Sequence, residues 1–228
     1  MGAAIREYHL TGRADTLHVF TLNHEPEQDT MPLDLLFRTP EQMTDIELTA
    51  LDLAQGRTLD VGAGAGCHSL ALIERGIEVT AIDISPLSVE TMRHRGITDA
   101  RNDDFFQHAG SYDTIIMLMN GIGITGTLDR LPKFFTTIDA LLSPGGQVLC
   151  DSSDLTEGFR AGLIPDCEND YYGHFRFQMR YRHISGVPFD WLYLDPVNLS
   201  RTALQHGFQA EIILTASDQT FLTRITRR

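Results

Sequence analysis

The segment Leu59-Asp60-Val61-Gly62-Ala63-Gly64-Ala65-Gly66 constrains the fold more than any other part of this chain. A short apolar run, Thr58–Val61, enters three glycines at alternate positions, and a helical pattern, Cys67–Arg75, leaves them. Glycine has no Cβ, so the backbone can turn through left-handed conformations and a ligand can approach it closely. The helix that follows begins with unpaired N–H groups and the positive end of its dipole, which together suit an anionic group. Strand, glycine turn and helix in that order open a βαβ unit.

The middle of the chain repeats that rhythm. Ile77–Asp83 predicts a second strand. Ser85 as cap and Pro86 as first-turn residue start a helix that Gly96 stops. A weak strand is expected near Thr98–Asp103. Tyr112–Met119 contains Ile-Ile-Met-Leu-Met, apolar on both faces as a central parallel strand should be. A helix through Phe134, Phe135, Ile138, Leu141 and Leu142 ends at Ser143-Pro-Gly-Gly146, before a fifth strand at Gln147–Asp151. Such alternation implies right-handed crossovers and a parallel sheet.

The flanks read differently. Residues 13–55 predict a mainly helical cover, with Leu33, Leu36, Phe37, Ile46, Leu48, Leu51 and Leu53 apolar and with Pro32 and Pro40 as breaks. His174–Arg182 alternates strictly, Phe175, Phe177, Met179 and Tyr181 against Arg176, Gln178, Arg180 and Arg182. This is the pattern of a half-exposed antiparallel strand. Trp191–Leu194 is its expected partner across Gly186-Val-Pro188. Asp195-Pro196 opens a helix to Gly207, and Ala210–Leu214 with Phe221–Thr226 predicts a terminal hairpin.

Two ligand classes use a strand–glycine–helix turn. Dinucleotide enzymes use G-x-G-x-x-G, whose third glycine lets helix and strand pack closely. Counted from Gly62 and Gly64, that third position is Cys67, so the fingerprint fails by one residue. The spacing here is G-x-G-x-G after an acid, Asp60, and it resembles motif I of the class I S-adenosylmethionine-dependent methyltransferases. Further segments continue the resemblance: Val79-Thr-Ala-Ile-Asp83, Asp104-Phe105 with Asp103 as a one-residue alternative, Tyr112-Asp113-Thr-Ile-Ile, and Leu141-Leu-Ser-Pro-Gly-Gly-Gln-Val-Leu149. It covers residues 55–151 strongly and 195–226 more loosely.

The resemblance implies a Rossmann-like, seven-stranded, mostly parallel sheet with helices on both faces and an antiparallel C-terminal hairpin. An extra hairpin is inserted after the fifth strand. One methyltransferase domain is expected over 1–228, with N-terminal cover 13–55, cofactor core 56–151, insertion 152–194, and final helix and hairpin 195–228. It further implies S-adenosyl-L-methionine as cofactor. Asp60 would face its amino group, Gly62, Ala63 and Gly64 its methionine half, and Asp83 with Ile84 its ribose and adenine edge. Asp104 and Phe105 would meet the adenine, and Met119 the sulfonium. His68, in the first helical turn, would border the carboxylate or else face solvent. Cys67 reads as a packing residue.

The acceptor side is less defined. Residues 152–194 are rich in aromatic and polar side chains and form either a substrate wall or a plain hairpin. Asn120, Tyr172, Arg180 and Trp191 are candidates for the acceptor, with Phe37 and Arg38 possible contacts from the N-terminal side. Methyl transfer from a sulfonium is an in-line displacement that needs alignment and exclusion of water. A base is needed only if the acceptor must lose a proton. No catalytic residue is assigned; His68, Asp151, Tyr172 and His174 are candidates. The rival readings are a nicotinamide-dependent oxidoreductase and a non-catalytic adenosylmethionine-binding protein.

Composition narrows the partners. Eighteen basic against 31 acidic residues give a formal charge of −13, with 42% hydrophobic and 21% charged residues. Nucleic-acid binders neutralise phosphates with clustered Lys and Arg, so a small-molecule acceptor is the expectation and nucleic acid is disfavoured. Arg93–Arg95 reads as a solvated helix face. No run approaches about 20 apolar residues, which disfavours a membrane span, and Met1–Leu10 lacks a secretory pattern. Cys67, Cys150 and Cys167 lack C-x-x-C spacing, so neither a disulfide framework nor a zinc site is expected. The cytoplasm is the default compartment, and the oligomeric state is not read from the sequence.

Overall fold

A computed structural model describes residues 1–23, 27–164 and 171–228; Cys167 lies outside them. In chain order the elements are α1 (Gly2–Thr11), β1 (Leu17–Thr21), β2 (Gln28–Met31), α2 (Asp45–Leu53), β3 (Thr58–Val61), α3 (Cys67–Glu74), β4 (Val79–Asp83), α4 (Pro86–His94), β5 (Ala100–Asn102), β6 (Tyr112–Met117), α5 (Leu131–Leu141), β7 (Leu142–Ser153), α6 (Thr156–Arg160), β8 (His174–Tyr181), β9 (Ile184–Ser185), β10 (Phe189–Leu192), α7 (Pro196–Gln205), β11 (Phe208–Thr215) and β12 (Thr220–Arg227). Short 3₁₀ turns add Leu33–Phe37, Pro40–Gln42, Gly121–Thr125 and Leu128–Arg130.

The main sheet has seven strands in the order β11-β12-β7-β6-β3-β4-β5. β3 to β7 run parallel, and β12 and β11 close the edge antiparallel. Every residue of β3 and β4 is buried, as strands covered on both faces require. One face packs Ile115 and Val148 against Phe134, Phe135 and Ile138 of α5 and Leu199 of α7. The other packs Ile116 and Leu149 against Ile46 and Leu51 of α2 and Leu72 of α3. The Rossmann-like expectation is therefore met, terminal hairpin included.

The N-terminal expectation needs correction. Residues 17–21 and 28–31 are strands within the stretch expected to be mainly helical. β1 pairs antiparallel with β8, Leu17 opposite Tyr181 and Thr21 opposite Phe177. β2 pairs with β1, and β10 with β8. The insertion is thus no isolated hairpin: its strands share a second sheet, β10-β8-β1-β2, with strands from the N-terminus, and β9 pairs with β8. Leu17-His-Val-Phe-Thr21 has the period of a strand, but the partner that completes it lies far along the chain. Pairing on that scale overrides local propensity.

Register decides which residues share a face. Leu17, Val19, Phe175, Phe177, Met179, Tyr181, Phe189 and Trp191 fall on one side of the second sheet. Leu17, Met179 and Tyr181 there pack on Ala4 and Ile5 of α1 and on Leu36. His18, Phe20, Arg176, Gln178, Arg180 and Asp190 fall on the other side. α1 also docks on α4, so closely that a Cβ on Gly2 would overlap the Ser85 side chain. At its other flank, Glu7 accepts from the Tyr181 hydroxyl (2.9 Å) and pairs with Arg182. The second sheet and α1 pack together against α4 and the 3₁₀ turn Gly121–Thr125, lying as a lid on that side of the main sheet. Among the described residues, no helix is long and apolar enough to cross a membrane.

Candidate functional site

In the main sheet β3 lies between β4 and β6, so the chain crosses from β3 to β4 on one side and returns from β5 to β6 on the other. Ligands of open α/β sheets bind in the crevice that such a switch point leaves at the strand C-terminal ends. The loop Gly62–Gly66 leaves one lip of this crevice and Met119–Asn120 the other.

Gly62 (φ 70°) and Gly64 (φ 59°) are both left-handed. A Cβ on Gly62 would meet nothing within 4 Å, and one on Gly64 only the Gly62 carbonyl at 3.9 Å. These two border open space. Gly66 is a packing glycine, because a Cβ there would overlap Ile97. Beneath the loop, Asp60 is buried and accepts from Ser69 Oγ at 2.6 Å. Burial raises its carboxyl pKa, with His68 and Ser69 opposing. Asp83 accepts from Gly64 N (3.0 Å) and Ser85 N (2.7 Å), bracing the loop from β4. Burial pushes its carboxyl up to about 6, the two backbone N–H groups partly countering that. Ala63 is buried at the same turn, its N–H given to the Ile82 carbonyl.

Ile84 follows Asp83 and is 74% exposed, an apolar side chain without cover beside the crevice. Asp104 caps its own turn, accepting from Phe106 N and Gln107 Nε2, both at 2.9 Å. Asp103, the alternative, is paired with His108. The Phe105 side chain is in the core beside Phe134, so only its backbone can serve a ligand.

His68 is buried, which removes its solvent-exposed reading. Its Nε2 lies 2.6 Å from Glu47 Oε1. Glu47 also takes the Arg38 guanidinium through Nη2 and, at 3.3 Å, Nε. Arg38 Nη1 reaches Met119 Sδ at 3.5 Å. Burial alone would raise the Glu47 carboxyl, but hydrogen bonds from His68, Arg38 and Thr44 hold it near 2. Burial would lower His68, yet Cys67, Glu47 and Asp60 raise it, so the imidazole is held protonated. Two cations and one anion leave this buried cluster with one positive charge at the first turn of α3. Glu47 escaped the sequence reading, although Thr44-x-x-Glu47 is the pattern of a capping box, which it forms. Arg95, read as solvated, instead donates to the Ala65 carbonyl of the loop at 2.6 Å and covers Phe37.

On the other lip, Met119 (φ 66°) and Asn120 (φ 56°) are consecutive left-handed residues without being glycine. Each such residue costs on the order of 1–3 kcal/mol and persists only where its surroundings demand it. Asp151 supplies part of that demand, accepting from Gly121 N at 3.1 Å. Burial pushes its carboxyl up to about 6, against hydrogen bonds from Gly121 and Asn120 N–H. Ser153 Oγ donates to Asn120 Oδ1 at 2.8 Å, joining the ends of β7 and β6. From the lid, Trp191 lies against Gly123, where a Cβ would overlap its indole.

The remaining acceptor candidates separate from this group. Arg180 is on the opposite face of the lid from Trp191. It covers Phe20 and borders an outer depression of about 600 Å³ with His18, Arg182 and His183. A one-residue register step is what divides them. Tyr172 joins the cluster capping α7, bonded to Thr156 (2.8 Å) and Asp195 (3.1 Å). His174 faces Asp190 at 3.1 Å on the outer side.

A family model described as a methyltransferase domain matches residues 36–210. The fold superposes with a TM-score of 0.90 on an S-adenosylmethionine-dependent methyltransferase from Bacteroides fragilis in complex with S-adenosyl-L-homocysteine. That chain is 46% identical, with 99% of this chain and 93% of that one covered. A ubiquinone biosynthesis O-methyltransferase from Xanthomonas oryzae is 30% identical over 118 residues, 46% of each chain. A cypemycin N-terminal methyltransferase from Streptomyces is 31% identical over 113 residues, 47% of this chain and 46% of that one. The match thus spans less than half the length of these curated relatives.

Proposed function

The chain belongs to the class I S-adenosylmethionine-dependent methyltransferases, and from that premise we propose that it methylates a small-molecule acceptor held between the ends of β6 and β7 and the lid. The observation that carries the assignment is the crevice itself. Two left-handed glycines border open space, buried Asp60 and Asp83 stand below them, and the positive Arg38–Glu47–His68 cluster stands beside them. This donor set fits a ligand with an ammonium, a carboxylate and a ribose.

Asp60 receives the amino group, and Arg38 with His68 draws the carboxylate to the N-terminal turn of α3. Each Asp83 oxygen keeps a lone pair beyond its backbone bond, enough to accept from two ribose hydroxyls. Ile84 covers the adenine edge, while Asp104 and the Phe105 N–H serve its polar rim. Met119 lies by the sulfur, and Asn120 and Trp191 line the acceptor's side. The described part of the insertion, 152–164 and 171–194, acts with β1 and β2 as the substrate wall.

The bound cofactor supplies an electrophilic methyl group whose carbon–sulfur bond breaks with its electron pair going to sulfur. This chain's residues align the acceptor lone pair with that carbon and exclude water, while any acceptor proton leaves to solvent. Titration calorimetry with adenosylmethionine, adenosylhomocysteine and nicotinamide nucleotides tests the cofactor assignment. The first two should bind and the last should not; the reverse overturns it. Transfer of labelled methyl to a panel of small acceptors tests turnover, and no transfer to any of them would leave a binding protein.

A further inference from the structure

Asn120 sits where the two halves of the crevice meet. Met119, its neighbour, touches Arg38 of the positive cluster, and the 3₁₀ turn Gly121–Thr125 that follows carries Gly123 under Trp191. Its backbone is held left-handed at a cost, with Asp151 accepting from the Gly121 N–H. The backbone therefore fixes where this side chain starts. The carboxamide has two ends, a donor and an acceptor, and the backbone does not choose between them. In the structure the carbonyl end faces Ser153, whose hydroxyl donates to Asn120 Oδ1 at 2.8 Å, and the two N–H bonds of Nδ2 are left for another partner. Both residues are half-buried, at the ends of adjacent strands on the side of the sheet away from β4 and β5.

Resting on the function proposed above, we infer that Ser153 is a positioning residue that turns the Asn120 carboxamide donor-first into the acceptor site. The site is thereby built for an acceptor whose reacting position is an oxygen. A donor-only contact takes one lone pair of a hydroxyl oxygen and leaves another to meet the methyl carbon. A neutral aryl amine has a single lone pair, so the same contact would withhold it from the methyl carbon. The Trp191 indole supplies a flat wall against which a planar hydroxylated ring can lie.

The test uses the full chain loaded with adenosylhomocysteine, with catechol and o-phenylenediamine as matched probes and binding read by ligand-observed NMR titration. The parent protein should favour catechol by at least fivefold. Ser153→Ala should erase that preference, Ser153→Thr should restore it, and Asn120→Gly, which tolerates the left-handed backbone and removes the carboxamide, should erase it too. Adenosylhomocysteine affinity should change less than twofold in all three variants. Failure of either probe to bind, equal preference in the parent, or a preference untouched by Ser153→Ala would each overturn the inference. Failure of the parent to bind adenosylhomocysteine would instead overturn the cofactor assignment.

Discussion

Glu47 Oε1 lies 2.6 Å from His68 Nε2, and the same carboxylate holds the Arg38 guanidinium, so one buried anion from α2 binds two buried cations from different parts of the chain. Arg38 Nη2 and His68 Nε2 are only 3.4 Å apart. Without Glu47 they would face each other in a region closed to water. Removing one member of a buried ionic group costs about 3–5 kcal/mol. Glu47→Ala should lower unfolding free energy by that amount, measured by urea denaturation without ligand. A loss under about 1 kcal/mol would mean the cations are solvated after all.

The spare positive charge of this cluster makes a second prediction. Arg38→Met keeps much of the side-chain volume and removes the charge. Adenosylhomocysteine should bind roughly tenfold more weakly or worse, the effect of one lost charge-assisted hydrogen bond. 5′-Methylthioadenosine has the same nucleoside and no amino-acid carboxylate, so its affinity should be unchanged. Equal losses for both ligands in calorimetry would place Arg38 in support of the fold alone.

Asp83 predicts a pH dependence. Its folded pKa, near 6, is above the value of about 3.9 for a free aspartate. Between those values the native state keeps a proton that the unfolded chain has released. This contribution to stability is therefore complete below about pH 4 and lost as pH rises through 6. Ligand binding runs the other way, because the ionised carboxylate is the better acceptor for hydroxyls. Adenosylhomocysteine affinity should rise as pH climbs to about 6 and level off above it. Asp83→Asn should remove that inflection, and a profile identical to the parent's would assign the titration to another group.

What is encoded locally in the chain is legible in its sequence. Glycine spacing, the acid before it and the alternation of β3 through β7 each lie within a few residues, and the main sheet follows from them. The lid does not, because Leu17 finds its partner at Tyr181 and nothing near Leu17 announces that pairing. Arg180 and Trp191 looked equivalent as polar and aromatic residues of one insertion, but parity along β8 and β10 sends them to opposite faces. Asp104 also closes its own turn, accepting from Phe106 N and Gln107 Nε2, two contacts that its place in the sequence does not announce. Glu47 lay hidden because its side chain performs two tasks: it completes the Thr44 cap and pairs with Arg38 and His68.

The fit of Trp191 on Gly123 gives a last prediction, about the acceptor side alone. Gly123 does not have a left-handed backbone, so alanine there brings no conformational strain, only volume. That volume falls on the indole of Trp191, which is half-buried and borders the lid side of the crevice. Displacing a packed ring costs about 1–3 kcal/mol, and the ring can escape only by moving away from the 3₁₀ turn beside Asn120. Gly123→Ala should therefore reduce methyl transfer while leaving adenosylhomocysteine affinity within twofold, since Gly62, Asp60 and Asp83 lie across the crevice. Trp191→Phe shortens the ring and should cost some transfer by itself. In the double variant the smaller ring leaves room for the new methyl group, so the two losses should fall short of additive. Additive losses in both transfer rate and thermal stability would show that Gly123 and Trp191 act independently, and the acceptor wall would then have to be sought elsewhere on the lid.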